Sequence, residues 1–160
     1  MDKQFIDTCM SKRTKEVEPS AVEISNPVVI QNTANSHNIL SNYFLKGAQS
    51  ILKSNTPLLG ILLGYFSMEQ KTYQLLAKKG FKVTSHVCGI MGLSRVVGRK
   101  DLASALSKAY DNRLEVNYLG NIKTIEIDRF RAETFIDKTL MPFLNEMDSL
   151  IDNIIKAEEQ

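Results

Sequence analysis

The chain has 160 residues, of which 43% are hydrophobic and 24% charged, and its formal net charge is +2. These values are those of an ordinary globular domain that is long enough to build a hydrophobic core. Its longest apolar run, residues 57–68, is shorter than the roughly 20 residues that span a bilayer, which argues against a membrane partner. No charged segment followed by an apolar stretch opens the chain, so we expect a cytoplasmic protein.

Charge is spread unevenly along the chain. Residues 1–70 carry six basic and six acidic side chains, whereas residues 71–113 carry nine basic and two acidic ones, a balance of +7. Residues 114–160 carry five basic and ten acidic side chains, a balance of −5. The basic stretch suits a partner that bears phosphates, such as RNA or a nucleotide. Scattered, solvated lysines and arginines would give the same count, so both interpretations stay open.

The first 35 residues differ from the rest and are expected to form an N-terminal arm. Residues 1–20 are polar and mixed in charge, which is typical of a mobile arm or a short irregular helix. Residues 23–31 contain β-branched side chains around Asn26 and Pro27, which predicts a short strand at a sheet edge or an extended loop. Residues 36–160 form the second predicted unit.

That second unit is predicted to contain five helices. The first covers about 36–53 with Ser36 as its cap, and the second begins at Thr56 and Pro57 and is closed by Gly80. The others cover about 86–97, 101–119 and 128–157. Five helices with short connections predict an all-α, up-and-down bundle.

Packing signals lie on the second and the last helix. The first half of the second helix is apolar nearly all round, which predicts a place at the centre of the bundle or in a dimer interface. Gly60 and Gly64 on this helix allow close approach of a neighbour. In the last helix, apolar residues at 136, 140, 143, 147, 150 and 154 form a heptad seam, which favours packing within the bundle over a coiled-coil dimer. Pro142 predicts a kink or break near Leu140.

Histidines and cysteines are too few and too poorly spaced for a metal site. His37 and His86 are the only histidines, and neither C-x-x-C nor H-E-x-x-H occurs, so we expect no metal and no cofactor. Cys9 and Cys88 lie far apart in sequence, and nothing suggests an oxidising compartment. Cys88 falls among apolar residues, which favours a buried, unreactive thiol over a nucleophile.

Arg113 occupies a place in the fourth helix where an apolar residue would be expected. Apolar positions recur at 102, 106, 109 and 116, and Arg113 falls on the same face. A guanidinium keeps its proton at any ordinary pH, so a buried one needs a carboxylate or another anion. Two interpretations are open. One is a buried ion pair, with Glu69 as a candidate; the other is an anion site, with Asn117 one turn on and Asn112 and Tyr118 beside it.

His86 is the candidate base. It follows Ser85 at the predicted start of the third helix, where the positive end of the helix dipole favours a neutral imidazole. A neutral imidazole near an arginine could take a proton from a ribose hydroxyl. The alternative is a histidine of the helix cap that lies partly in solvent.

The order of several short motifs resembles a known family. The second helix ends with KKG at residues 78–80, SH follows at residues 85–86, and the fourth helix contains DNRLEVNY at residues 111–118. This order resembles HEPN domains (higher eukaryotes and prokaryotes nucleotide-binding), especially their compact prokaryotic branch. The resemblance covers residues 65–118 directly, and residues 36–155 through the order of the helices.

HEPN domains are all-α bundles that commonly dimerise, and many are metal-independent endoribonucleases of toxin–antitoxin or antiviral defence systems. Their motif is an arginine and, after four to six intervening residues, a histidine. Arg113 matches the arginine, but residues 118–120 are Tyr, Leu and Gly, which departs from the pattern.

The resemblance therefore implies a homodimer that handles RNA or a nucleotide, with a cognate antitoxin or defence protein as a further partner. It implies a catalytic set of Arg113, Tyr118 and His86 and a substrate-binding set of Asn117, Asn112, Arg99 and Lys100. Two other function classes fit the same sequence. One is a non-catalytic bundle that binds nucleic acid or a protein, and the other is a purely structural oligomerisation domain.

Overall fold

The computed structural model describes residues 2–11, 18–118 and 124–158, with the side chains of residues 117, 118 and 158 outside the description. The elements follow the order α1 (Lys3–Phe5), β1 (Ala21–Glu23), α2 (Pro27–Ile51), α3 (Leu59–Lys78), β2 (Phe81–Val83), α4 (His86–Gly92), α5 (Lys100–Tyr118), α6 (Ile125–Phe135) and α7 (Met141–Glu158). Single π-helical turns follow α1 at Ile6–Met10, follow α4 at Leu93–Val97, and join α6 to α7 at Ile136–Leu140. The predicted all-α bundle of about five helices is confirmed, since α6 and α7 form one continuous helical rod.

Helix α3 is the centre of the bundle, as its apolar sequence predicts. It packs against α2, α4, α5, α6, α7 and β2. Its glycines permit this crowding, because a Cβ on Gly60 would lie 3.2 Å from the carbonyl oxygen of Ala48 in α2. A Cβ on Gly64 would lie 2.7 Å from a ring carbon of Phe135 in α6, which is closer than carbon atoms pack. The predicted close approach at both glycines is confirmed.

Helix α2 begins nine residues before the predicted start at Ser36. Asn26 caps it, because its Oδ1 accepts hydrogen bonds from the amides of Val28 at 2.9 Å and Val29 at 3.4 Å. Pro27 takes the first helical position, where a missing N–H costs nothing and the fixed φ suits a helix. The strand or loop predicted for residues 23–31 is therefore wrong for most of its length: Asn26 and Pro27 start a helix rather than interrupt a strand.

A small antiparallel sheet ties the N-terminal segment to the bundle. Strand β1 pairs with β2, with Ala21 opposite Val83 and Glu23 opposite Phe81. Under this sheet lies a second apolar core that contains Phe5, Cys9, Ala21, Tyr73, Leu76, Phe81, Val83 and Cys88.

Cys9 and Cys88 form a disulfide in that second core, with their Cα atoms 5.7 Å apart. The prediction that Cys88 is buried is confirmed, but the prediction that it is a free thiol is wrong. The two cysteines are 79 positions apart in sequence, and the N-terminal segment that carries Cys9 lies against α4 and is paired to the bundle through β1 and β2. The cytoplasmic location stays a prediction, whereas disulfides are typical of oxidising compartments.

The irregularity predicted near Leu140 takes the form of the π-helical turn. The amide of Met141 donates to the carbonyl of Ile136, five residues back. Pro142 has no N–H to offer the carbonyl of Lys138, so a regular α-helical ladder cannot continue there. The seam residues Ile136, Leu140, Phe143 and Met147 are buried, which confirms packing within the bundle. Within residues 2–11, 18–118 and 124–158, no helix is long and apolar enough to cross a membrane.

Candidate active site

Arg113 lies among aromatic rings rather than beside a carboxylate. Its guanidinium carbon is 5.0 Å from the ring centre of Tyr110, 5.3 Å from that of Tyr65 and 5.7 Å from that of Phe66. Ring faces are electron-rich and stabilise a cation at this range. The side chain is half-buried, and its Nε is fully buried without a hydrogen-bond partner among the described residues. The ion pair with Glu69 is not formed.

Glu69 instead holds His86. Tyr65 and Glu69 are buried one turn apart on α3, and the Tyr65 hydroxyl donates to Glu69 Oε1 at 2.8 Å. The same carboxylate oxygen is hydrogen-bonded to Nδ1 of His86, which also lies 2.8 Å from the Tyr65 hydroxyl. Because an ionised carboxylate only accepts hydrogen bonds, Nδ1 carries the proton in this pair. In the neutral tautomer that has its proton on Nδ1, Nε2 is unprotonated and is the nitrogen that can act as a base.

The same two rings contact both Arg113 and His86. The His86 ring centre is 5.3 Å from that of Tyr110 and 5.8 Å from that of Tyr65. Its side chain is 38% exposed, so part of the imidazole is in contact with solvent. We call Tyr65, Glu69, His86, Tyr110 and Arg113 the aromatic cluster. It brings the predicted base and the predicted arginine into one place.

Local structure fixes the position of His86. Ser85 caps α4 as predicted, with its Oγ accepting from the amide of Cys88 at 3.4 Å. His86 is the first residue of this helix, and the disulfide at Cys88 lies two residues further on. A hydrogen-bonded cap and a covalent bond therefore hold the backbone on which the imidazole is carried.

Two phenols near Glu69 are locked in the neutral form. Burial, followed by the charge of Glu69 and a hydrogen bond to it, raises the pKa of Tyr65 far above its usual range. Burial and then Glu69 raise the pKa of Tyr73 in the same way. Tyr65 is therefore a hydrogen-bond donor that orients Glu69, and it is not itself a base.

Other predicted site residues lie elsewhere. Arg99 precedes α5 and pairs with Asp101 at 2.6 Å and Glu146 at 3.2 Å. Arg99 and the neighbouring Lys100 are about 20 Å along the helix from Arg113, at about 1.5 Å per residue, so the structure does not bring them to the aromatic cluster. Their role in substrate binding stays a prediction.

Asn112 adjoins Arg113 in sequence but is exposed and lines a neighbouring groove. The backbones of Asn117 and Tyr118 belong to the last turn of α5. Their side chains fall outside the described part of the chain, so their roles stay predictions. The sequence did not single out Tyr65 or Tyr110, whose roles arise from contacts between helices. The one usable signal was Glu69, a carboxylate on a helix otherwise suited to the bundle centre.

Some cations of the basic stretch 71–113 form ion pairs within the protein. Lys71 is 4% exposed, and its Nζ donates to Asp148 Oδ1 and Asn38 Oδ1, each at 2.9 Å. Arg95 pairs with Asp2 at 3.7 Å, and Arg99 is paired as described above. These three cations are thus removed from any uniform basic surface. Within the described ranges, no three His, Cys, Asp or Glu side chains come together in a group that could hold a metal ion.

Models of known protein families were compared with the chain and none matches it, and no curated protein matches it either. The resemblance to HEPN domains therefore stays a prediction. What bears on function is the aromatic cluster itself: a carboxylate-oriented imidazole and an arginine without a carboxylate partner among the described residues, held around two shared rings.

Proposed function

We propose that the protein cleaves RNA without a metal ion, with His86 as general base and Arg113 as the group that stabilises charge on the phosphate. The observation that carries this proposal is the hydrogen bond from His86 Nδ1 to buried Glu69, next to a guanidinium that rests on the same rings. A carboxylate that orients an imidazole is a recurrent device for general-base catalysis. The resemblance of residues 65–118 to HEPN domains supports the same conclusion.

The proposed reaction uses the 2′-hydroxyl of the substrate as nucleophile. His86 Nε2 takes the proton of that hydroxyl, and the oxygen attacks the adjacent phosphorus. The bond from phosphorus to the 5′ oxygen breaks, and this oxygen takes up a proton from water. The hydroxide that is left takes the proton from protonated His86, so the imidazole returns to its starting state. The products are a 2′,3′-cyclic phosphate and a 5′-hydroxyl end. Arg113 faces the charge that gathers on the phosphate oxygens during the attack.

The proposed assembly is a homodimer with a cognate antitoxin or defence protein as partner, and its support is the resemblance alone. Light scattering at micromolar concentration measures this directly. A dimer is expected, and a monomer that still cleaves RNA would remove the dimer from the proposal without touching the aromatic cluster.

The test of the reaction is cleavage of labelled RNA in excess chelator. His86→Ala is expected to slow cleavage by about 100- to 10,000-fold, since a general base contributes that much. His37→Ala is the matched control, because His37 also bonds to a polar side chain of α3, at 2.7 Å from Gln70. The control is expected to keep the wild-type rate. Equal rates in all three proteins, or products other than a cyclic phosphate, would overturn the assignment.

A non-catalytic binding module is the second candidate. Helix α2 carries exposed apolar side chains, including Val28, Ile39 and Tyr43, and a surface of this kind is typical of protein contacts. RNA binding that weakens with salt, without any cleavage by the wild type, would favour this candidate over the enzyme.

A further inference from the structure

Two neighbouring cavities form one groove along α5, where α6 meets α7. The first has a volume of about 290 Å³ and the second about 400 Å³. Both are lined by Asn112, Lys138 and Thr139, so they adjoin each other. We call them together the α5 groove.

The lining of the α5 groove combines the groups that bind a single nucleic-acid strand. Amide and hydroxyl groups come from Asn112, Thr134 and Thr139, ammonium groups from Lys108 and Lys138, and apolar surface from Ile61, Phe135 and Phe143. Phe130 also lines it and is 69% exposed, which is unusual for a phenylalanine. An exposed ring offers a face on which an unstacked base can lie.

Two cations of the α5 groove, Lys108 and Lys138, form no ion pair within the described ranges. Asp101 and Glu146 also line the second cavity. They share one cation, Arg99, which offsets one of their two negative charges. Arg131 pairs with Glu115 at 3.4 Å and with Asp128 at 3.9 Å and is not counted. The two lysines are therefore the cations of the groove that remain for a phosphate.

The π-helical turn at Ile136–Leu140 contributes two of the groove residues. Lys138 and Thr139 lie within this turn, and Pro142, which requires it, lines the second cavity. A π-helical turn costs hydrogen-bond geometry and is found frequently at functional sites. The irregular backbone thus coincides with the polar wall of the groove.

Two residues of the α5 groove lie close in sequence to residues of the aromatic cluster. Ile61 lies one turn before Tyr65 on α3, and residues spaced in this way are roughly 6 Å apart. Asn112 directly precedes Arg113 in α5. A strand whose phosphate meets Arg113 could therefore continue into the groove.

We propose that the α5 groove binds the single-stranded RNA on one side of the cleaved phosphate, an inference that rests on the proposed function. Lys108 and Lys138 bind phosphates of the strand, Asn112 and the threonines donate hydrogen bonds to it, and one base stacks on Phe130. Duplex RNA is excluded as the main ligand because its bases are stacked on one another and cannot lie on a protein ring.

Fluorescence anisotropy with a labelled 12-nucleotide RNA tests this groove, and the His86→Ala protein prevents cleavage during the measurement. The Lys108→Gln/Lys138→Gln pair is expected to bind about tenfold more weakly than its parent. The salt slope of log K should fall by about 1.4, since each phosphate contact on a single strand contributes about 0.7. Phe130→Ala should also lose about tenfold. The control is Lys46→Gln/Lys82→Gln, which removes two exposed lysines that do not line the groove.

Each outcome separates the two proposals. Equal affinity in the groove pair and in the control overturns the groove, even if the wild type cleaves RNA. Groove-dependent binding without cleavage by the wild type keeps the groove and overturns the enzyme. Absence of RNA binding overturns the groove, and so does displacement of the RNA by poly-glutamate at a concentration equal to that of the RNA, which would identify an acidic peptide as the better ligand. In both cases the cleavage assay decides the enzyme proposal by itself.

Discussion

Lys71 and Arg113 are both withdrawn from water against the central helix, and the structure treats their charges in opposite ways. The Lys71 ammonium has two oxygen partners at 2.9 Å, one of them a carboxylate. The Arg113 guanidinium is surrounded by three rings, and its Nε has no described hydrogen-bond partner.

The difference teaches where function can lie. A buried charge that is paired within the protein contributes to holding helices together. Its partners offset its electrostatic attraction for a ligand. A charge stabilised by ring faces keeps its attraction for an anion, because rings do not neutralise it. Lys71 therefore links α3 to α7, whereas Arg113 is the centre of a candidate site.

The largest expected effect comes from removing the charge of Arg113. Arg113→Ala should reduce the rate of RNA cleavage by about 100- to 1,000-fold, as loss of one charge-stabilising group does. Arg113→Lys should restore only part of the rate, since an ammonium lacks the planar group that stacks on rings and binds phosphate with two donors. Single-turnover rates measure both. If Arg113→Ala cleaved RNA at the wild-type rate, the proposed functional difference between Arg113 and Lys71 would be contradicted.

Reduction of the disulfide should have the next largest effect. Opening the link between Cys9 and Cys88 should lower the free energy of unfolding by about 2–4 kcal/mol, measured by urea unfolding with and without a dithiol reductant. Because Cys88 lies two residues from His86, cleavage should fall along with stability. The Cys9→Ser/Cys88→Ser protein is the control, since the reductant should have no further effect on it. A reduced protein as stable as the oxidised one would contradict this prediction.

Alkaline pH should lower the free energy of unfolding because of Tyr65 and Tyr73. Their folded-state pKa values are raised, whereas unfolded tyrosine titrates near pH 10. Above about pH 10 the unfolded chain loses these protons and the folded protein keeps them, so stability falls as pH rises. The slope reaches about 1.4 kcal/mol per pH unit for each tyrosine. Urea unfolding at pH 9, 10 and 11 measures it, and Tyr65→Phe should halve the part due to this pair.

The smallest expected effect comes from removing the carboxylate partner of Lys71. Asp148→Ala should lower stability by about 2 kcal/mol, because it leaves a buried ammonium with one amide partner. Since Asp148 is itself 57% exposed, the loss should stay below that of a fully buried pair. Cleavage by the folded variant should match the wild type. A fall in the rate at unchanged stability would mean that Lys71, like Arg113, acts in the site.

Local patterns predicted most of the fold. The spacing of apolar residues located the helices. Because α3 is apolar nearly all round, its position at the centre of the bundle was predicted, and the seam of α7 predicted that this helix packs within the bundle. Both predictions succeed because burial follows directly from the spacing of side chains. The start of α2 was missed because Asn26 and Pro27 interrupt a strand pattern as readily as they begin a helix. Strand β2 was missed because three residues carry too little periodicity to stand out.

Of the residues in the candidate site, the sequence predicted a functional role only for Arg113 and His86. Arg113 interrupted an apolar face and His86 followed a capping serine at a helix start, so each could be found from sequence. Their meeting around Tyr65 and Tyr110, and the bond from His86 to Glu69, depend on how α3, α4 and α5 pack. No spacing along the chain encodes those contacts. The same holds for the disulfide, whose cysteines are brought together by the packing of the N-terminal segment on the bundle.

The disulfide also divides the chain in a way that the helices do not. From Cys9 to Cys88 the backbone is a closed covalent ring, and everything after Cys88 is an open tail attached at one point. A single protease cut inside the ring leaves the two pieces in one molecule, but a cut in the tail can release a fragment. Tyr65, Glu69 and His86 belong to the ring, whereas Tyr110 and Arg113 belong to the tail. The disulfide does not link the proposed catalytic base to its arginine, so apart from the backbone between them their relative position depends on packing.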